Sequence, residues 1–125
     1  MNLTIHRGTH EIGGSCVELE SKGSRIIIDL GMPLVNPDGS RFNINEYIDI
    51  PANELTNNIL PDIKGIYAFA KDTKPIDGLL ISHPHTDHYG FYHYVSQNVP
   101  VYMGKATNEL IRILTLFGNK KLIPK

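Results

Sequence analysis

The feature that most constrains this chain is an apolar run that ends in a cluster of potential metal ligands. Residues 78–82 are typical of a short buried strand, and residues 89–95 are typical of the start of a helix. Between them lie four side chains that commonly bind metals: His83, His85, Asp87 and His88. The fold must therefore place a rigid strand end beside a loop that leads into a helix, a common position for a site in α/β proteins.

The spacing of these four residues favours two metal ions. Residues two apart in an extended segment project to the same side, so His83 and His85 can bind one ion. Asp87 and His88 are adjacent and can bind a second ion a few ångströms away, which also makes them the candidate catalytic residues. Imidazole and carboxylate donors suit borderline metals such as zinc. The alternative, in which Asp87 caps a helix and the histidines are solvated, does not account for four ligands in this order.

Residues 83–88 resemble the signature of the metallo-β-lactamase fold superfamily. The resemblance extends to residues 11–16 (Glu-Ile-Gly-Gly-Ser-Cys) and 26–31 (Ile-Ile-Ile-Asp-Leu-Gly), which are similar to the N-terminal strands of the branch that includes ribonuclease J and the β-CASP nucleases. It covers most of residues 1–32 and 76–117.

The resemblance implies a metal-dependent hydrolase. His83 and His85 would bind a first zinc ion and Asp87 and His88 a second, with iron or manganese as alternative metals. A metal-bound hydroxide would attack an ester, phosphodiester or amide bond. The substrate of the complete enzyme would be a small molecule or RNA, and the similarity to the ribonuclease J branch favours RNA.

Asp29 follows three isoleucines, where a carboxylate is costly to bury unless it is paired. It either bonds to local backbone in the turn before Gly31 or orients the metal-binding histidines from behind. The resemblance favours the second role, because the family places an aspartate here that supports the ligand-bearing loop, residues 83–88 in this chain, which we call the metal loop.

The rest of the pattern predicts an α/β (α+β layered) fold with a mixed sheet. Strands are expected at residues 2–6, 15–20, 25–30, 78–82 and 101–103, with a hairpin turn at Lys22-Gly23-Ser24. Residues 91–97 are expected to be helical. Lys105 to Phe117 is expected to be an amphipathic helix that ends at Gly118, before Lys120 and Lys121. Its core face would carry Ala106, Leu110, Ile113, Leu114 and Phe117. The resemblance implies the N-terminal half of an αββα sandwich, with helices on one face of the sheet.

Residues 33–75 form a variable insert beside the site in an otherwise single domain of residues 1–125. The insert either builds part of a substrate wall or is a surface excursion with its own small apolar cluster of Ile63, Ile66, Tyr67 and Phe69. The preceding glycine-rich loop, residues 8–14, could pass close to a ligand, and its His10 is expected to be solvated.

Composition places the chain among ordinary globular domains. It has 125 residues, of which 41% are hydrophobic and 20% charged, and its formal net charge of −1 gives no strong attraction to nucleic acid. It lacks a long apolar run, and its N-terminus lacks the form of a signal peptide. The single cysteine, Cys16, cannot form an internal disulfide. We therefore expect a cytoplasmic location and no membrane partner.

Parts of the family's active site are missing from this sequence. The family adds a third histidine, a bridging aspartate and a last histidine downstream of the metal loop, whereas His93 is the only histidine after His88 and no aspartate follows Asp87. We therefore expect a partial domain without the C-terminal half of the fold. Its exposed apolar sheet faces would favour a homodimer. The alternative function is a catalytically inert module with an incomplete metal site, which at most binds metal or self-associates.

Overall fold

The computed structural model describes residues 1–47, 49–56, 59–71 and 74–117. These residues form one sheet of five strands: β1 (Asn2–Arg7), β2 (Cys16–Ser21), β3 (Ser24–Ile28), β4 (Gly78–Ile81) and β5 (Val101–Met103). The strands lie in chain order across the sheet; β1, β2 and β3 are antiparallel, and β3, β4 and β5 are parallel. The predicted mixed sheet with an antiparallel start is confirmed.

The hairpin between β2 and β3 is closed by a two-residue turn, since Ser21 pairs with Ser24. Lys22 and Gly23 have φ angles of +50° and +86°, as both central residues of a type I′ turn require. This turn matches the right-handed twist of the two strands, and it confirms the predicted hairpin.

One face of the sheet is covered by the long connection between β3 and β4. Buried side chains of this connection, including Ile63, Ile66 and Tyr67, belong to the same core cluster as Ile27 of β3 and Leu79 of β4. The alternative of a separate surface cluster in residues 33–75 is therefore wrong. Because β3 and β4 are parallel, the chain between them must return across the sheet. The apolar residues of this connection bury the covered face of the strands.

A buried ion pair lies on the covered face of the sheet. The Arg25 Nε donates to Glu18 Oε1 at 2.6 Å, and the His6 Nε2 lies 2.7 Å from Glu18 Oε2. Arg25 also donates to the carbonyls of Lys64 and Pro75, which joins β3 to the covering connection. Burial raises the pKa of the Glu18 carboxyl, but the hydrogen bonds from Arg25 and His6 outweigh it, so the pKa lies below its ordinary value.

The opposite face of the sheet is open. Strand pairing aligns Leu3, Leu19 and Ile26 in one row and Ile5, Val17, Ile28, Leu80 and Tyr102 in another. The exposed fractions in these rows reach 61% at Leu3, 50% at Ile5 and 58% at Tyr102. We call these eight residues the open sheet face.

The helices differ from the prediction in position and in burial. The first helix, α1 (Thr86–Tyr89), begins inside the metal loop, and a 3₁₀ turn at Tyr92–Tyr94 follows it. The helix predicted at residues 91–97 is wrong, because Val95 is extended and pairs with Tyr67.

The second helix, α2 (Lys105–Phe117), has the predicted bounds, but the predicted core face is wrong. Ile111 is its buried residue, whereas Leu110, Ile113 and Leu114 are 42–50% exposed and Phe117 is 88% exposed. Nothing in the described part of the chain packs against this stripe, so it is exposed although the helix is amphipathic. The predicted cap at Gly118 and the two lysines after it lie outside the described residues. No helix in the described ranges is both long and apolar enough to cross a membrane.

Candidate metal centre

The histidine-rich loop connects β4 to α1, as the sequence predicted, although the helix starts earlier than expected. His85 is extended (φ −100°, ψ 143°) and directly precedes α1, so Asp87 and His88 lie in the helix itself. This places His83 and His85 on the arm of the loop that precedes α1, and Asp87 and His88 on its helical arm.

The loop brings the predicted ligands together in pairs. The ring centroids of His83 and His85 are 4.9 Å apart, and the His88 Nε2 lies 3.4 Å from Asp87 Oδ2. The ring of His83 is closer still to that of His88, with centroids 3.7 Å apart. Within residues 1–47, 49–56, 59–71 and 74–117, no three histidine, cysteine, aspartate or glutamate side chains form a group that could hold a metal ion.

Asp29 is the buried residue that connects the sheet to this loop. It follows β3 directly, is only 5% exposed and has a φ of +62°, a left-handed conformation that aspartate tolerates better than most residues. Its Oδ1 accepts the Ser82 N–H at 2.7 Å, and its Oδ2 lies 2.8 Å from both the Ser82 Oγ and the His88 Nδ1. The carboxylate therefore bonds to the metal loop.

The contact with Asp29 determines which nitrogen of His88 is available. A carboxylate only accepts hydrogen bonds, so the Nδ1 of His88 carries a hydrogen toward Asp29. The second carboxylate, Asp87, lies farther away, 3.4 Å from Nε2, so in the neutral ring the shorter contact places the hydrogen on Nδ1 and the lone pair on Nε2. A metal-binding histidine commonly donates its other N–H to a carboxylate in this way. The donor set of imidazoles and a carboxylate therefore fits a transition metal such as zinc.

The backbone around the loop is clamped by two segments from the N-terminal strands. The Ser15 N–H donates to the Asp87 carbonyl at 3.1 Å, and the Leu30 N–H donates to the His88 carbonyl at 2.8 Å. Gly13 lies against the same loop, where an added Cβ would be 3.0 Å from the Cβ of Asp87. The glycine-rich loop thus packs against the site, and its His10 is exposed as predicted.

Sequence reasoning left two groups of residues without a role. Ser82 precedes the first histidine, but only the structure reveals that its hydroxyl contacts Asp29, His83 and His88. Gly31 packs so closely on the loop, and Gly90 on Met32 and Thr86, that neither leaves room for a Cβ. The glycine three positions after β3, Gly31, was a weak sequence signal of this close approach.

Two further features limit the chemistry of the site. Burial raises the pKa of the Cys16 thiol to about 12, so the single cysteine remains protonated near neutral pH. A cleft of about 530 Å³ lies beside the loop, lined on one side by Thr86 and on the other by Leu34, Arg41, Phe42 and Glu46 of the insert.

Comparison with known proteins agrees with this geometry. The family model described as the metallo-beta-lactamase superfamily matches residues 11–109. The structure resembles a crystal structure of a protein of unknown function from Enterococcus faecalis V583, with a TM-score of 0.74 and 24% identity; the alignment covers 98% of this chain and 32% of that one. This likeness shows the fold.

Three curated relatives are each 30% identical to the chain. They are the transcription termination factor FttA of Methanothermobacter thermautotrophicus, the Integrator complex subunit 11 of Danio rerio and an RNase J-like protein of Methanocaldococcus jannaschii, which align with 91%, 83% and 70% of this chain. The chain spans only 14–15% of the length of these relatives. The RNase J-like relative confirms the predicted resemblance to that branch, and the chain belongs to the metallo-beta-lactamase superfamily.

Proposed function

We propose that this chain provides part of the active site of a metal-dependent hydrolase that cleaves phosphodiester bonds in RNA. His83 and His85 bind one ion, and Asp87 and His88 bind the second and serve as the catalytic pair. Zinc is the expected metal, and iron or manganese is the alternative. Ions bound here would polarise the scissile bond and stabilise the charge that develops on it.

The observation that carries this proposal is the 2.8 Å contact between the Asp29 carboxylate and the His88 Nδ1. Asp29 has a left-handed backbone conformation. Its carboxylate accepts a hydrogen bond from the Ser82 N–H, 53 positions later in the chain. In the proposed enzyme, Asp29 orients His88 and keeps the proton on Nδ1, so that Nε2 faces the metal.

RNA is favoured as the substrate by the relatives and by the cleft. One relative is described as RNase J-like and another as a transcription termination factor. The cleft beside Thr86 has room for part of a nucleotide, and its Arg41 offers a positive charge to a phosphate. The insert would then form part of the substrate wall. We also propose a cytoplasmic location, which is typical of a protein whose only cysteine is a buried thiol.

Incubation of the zinc-loaded chain with labelled RNA, with DNA of the same sequence and with chromogenic ester and amide substrates tests this function. If the ligands in this chain suffice for turnover, RNA cleavage should be lost in an Asp87→Asn, His88→Ala double variant and retained in a His10→Ala control. No cleavage of any substrate would favour the inert module described below. Cleavage of the ester or the amide without cleavage of RNA would reassign the substrate. RNA cleavage that persists in the double variant would contradict the assignment of Asp87 and His88 as the catalytic pair.

A second candidate is a module that binds metal weakly, self-associates and has no turnover. It is favoured by the absence of a three-ligand group among the described residues. Zinc stoichiometry separates the two candidates. Two tightly held ions per chain support the hydrolase, and none or one weakly held ion supports the inert module.

Either candidate needs cover for the open sheet face, and we propose that a second copy of the chain provides it. The strand register aligns the eight apolar residues of this face in two rows. In a two-fold dimer, this face of one copy would pack against the same face of the other. The exposed stripe of α2 adds to the apolar surface that the dimer could bury.

A further inference from the structure

Ser82 occupies the centre of the contacts beneath the metal loop. Its hydroxyl oxygen lies 2.8 Å from Asp29 Oδ2, 3.0 Å from the His83 Nδ1 and 3.3 Å from the His88 Nδ1. Its backbone N–H donates to the other oxygen of Asp29 at 2.7 Å. Ser82 is thus held at two points by one carboxylate while its hydroxyl contacts two of the four predicted ligands.

The hydrogens at this point can be assigned by counting donors. A serine hydroxyl carries one hydrogen, and a carboxylate can only accept. Hydrogen bonds to an ionised oxygen are about twice as strong as bonds between neutral groups, so the Ser82 hydrogen points to Asp29. Toward His83 the hydroxyl oxygen can then only accept, so the His83 Nδ1 must carry a hydrogen, and in the neutral ring its Nε2 keeps the lone pair.

We propose that Ser82 is a positioning residue that fixes the tautomer of His83 and thereby presents its Nε2 to a metal. Asp29 acts on His88 directly and on His83 only through the Ser82 hydroxyl. One carboxylate thus fixes the tautomers of both imidazoles, which lie on opposite arms of the loop. The metal part of this inference rests on the proposed function, in which His83 is a ligand.

The tautomers can be read without metal, by long-range ¹H–¹⁵N correlation of the histidine rings in the metal-free chain. We expect His83 and His88 to carry their hydrogen on Nδ1. In Ser82→Ala, His83 should change to the mixture of tautomers that a solvated imidazole shows, while His88 keeps Nδ1–H through Asp29. Ser82→Thr should restore the His83 signal, because it keeps the hydroxyl, and Ser96→Ala, a serine remote from the loop, should leave it unchanged.

Two results would overturn the inference: an Nε2–H tautomer at His83 in the unaltered chain, or a His83 signal unaffected by Ser82→Ala. If Ser82→Ala does not fold, Ser82→Cys serves in its place, because a thiol is a weak donor and a weak acceptor. We then expect Ser82→Cys to change the His83 tautomer and Ser82→Thr to keep it.

Zinc affinity, measured by competition with a chelator, tests the consequence for metal binding. Ser82→Ala should weaken retention about 10–100-fold, as loss of a supporting hydrogen bond does at other metal sites, and Ser82→Thr should restore it. A changed His83 tautomer with unchanged affinity would contradict the proposed ligand role of His83 and leave the tautomer control intact. If the His83 tautomer is unchanged in Ser82→Ala but zinc affinity is still lost in His83→Ala, the positioning role of Ser82 is contradicted and the proposed function stands.

Discussion

Gly31 packs directly on the backbone of Asp87. A Cβ added at Gly31 would lie 1.7 Å from the Asp87 carbonyl oxygen and 2.9 Å from the His88 nitrogen. The φ of Gly31 is not in the left-handed region, so the requirement for glycine here is steric.

Gly31→Ala should therefore displace the metal loop. We expect a loss of about 1–3 kcal/mol of stability, the usual cost of overpacking, together with weaker zinc retention. Gly104→Ala is the matched control, since its Cβ would meet only the Thr107 hydroxyl at an ordinary 3.7 Å. Urea unfolding and chelator competition measure both effects. Equal stability of the two variants would show that the loop does not depend on this contact.

The first proposed metal position depends on His83 and His85. The double variant His83→Ala, His85→Ala should lose one of the two expected zinc ions, because two imidazoles leave the same coordination shell. Elemental analysis after zinc titration measures the stoichiometry, with His10→Ala as the control. An unchanged ratio of zinc to chain in the double variant would disprove the assignment.

Asp29→Asn tests whether the buried carboxylate supports the metal site. Asparagine tolerates the left-handed conformation, so the fold should survive, while zinc retention should fall about 10–100-fold. Circular dichroism beside chelator competition separates the two effects, and the exposed Asp62→Asn is the control. Unchanged retention with a stability loss of about 1 kcal/mol would mean that Asp29 only satisfies the local hydrogen bonds.

Glu18→Gln tests the buried ion pair through its pH dependence. Because the folded pKa of Glu18 lies below its ordinary value, its charge stabilises the fold above the unfolded pKa of about 4.3, and this contribution is lost as pH falls through the folded pKa. We expect Glu18→Gln to cost about 3 kcal/mol at neutral pH, and we expect the difference from the unaltered chain to shrink below pH of about 4.3. Glu20→Gln, whose partner Lys74 is 3.7 Å away and half exposed, should cost less than about 1 kcal/mol. A difference for Glu18→Gln that does not vary with pH would exclude the charge as its cause.

The open sheet face predicts self-association. Leaving several of its side chains in water would forgo about 1.5–3 kcal/mol for each, so we expect a dimer at low micromolar concentration. Sedimentation should show this dimer, and Ile5→Lys with Leu80→Lys should convert it to a monomer. A stable monomer that unfolds cooperatively, without substitution, would disprove the dimer.

Features that depend on neighbouring residues could be predicted from the sequence. The Lys22-Gly23 turn carries its own backbone preference, and the apolar run before Ser82 identifies β4 together with the loop that follows. Features that depend on distant contacts could not be predicted. Val95 is extended because it pairs with Tyr67, and the stripe of α2 is exposed because burial depends on a partner as well as on periodicity. The role proposed for Ser82 likewise depends on Asp29, which lies 53 positions earlier.

That separation also orders the steps of folding. β1, β2 and β3 are joined by short connections and can pair early, whereas Asp29 meets Ser82 only after the chain between β3 and β4 has closed a long loop, at a larger entropic cost. We therefore expect the contact between Asp29 and Ser82 to form later in folding than the pairing of β1, β2 and β3. Because His83 and His88 contact Ser82 and Asp29, we expect the histidines to take their final arrangement together with that contact, so zinc binding during refolding would report when β4 joins β3.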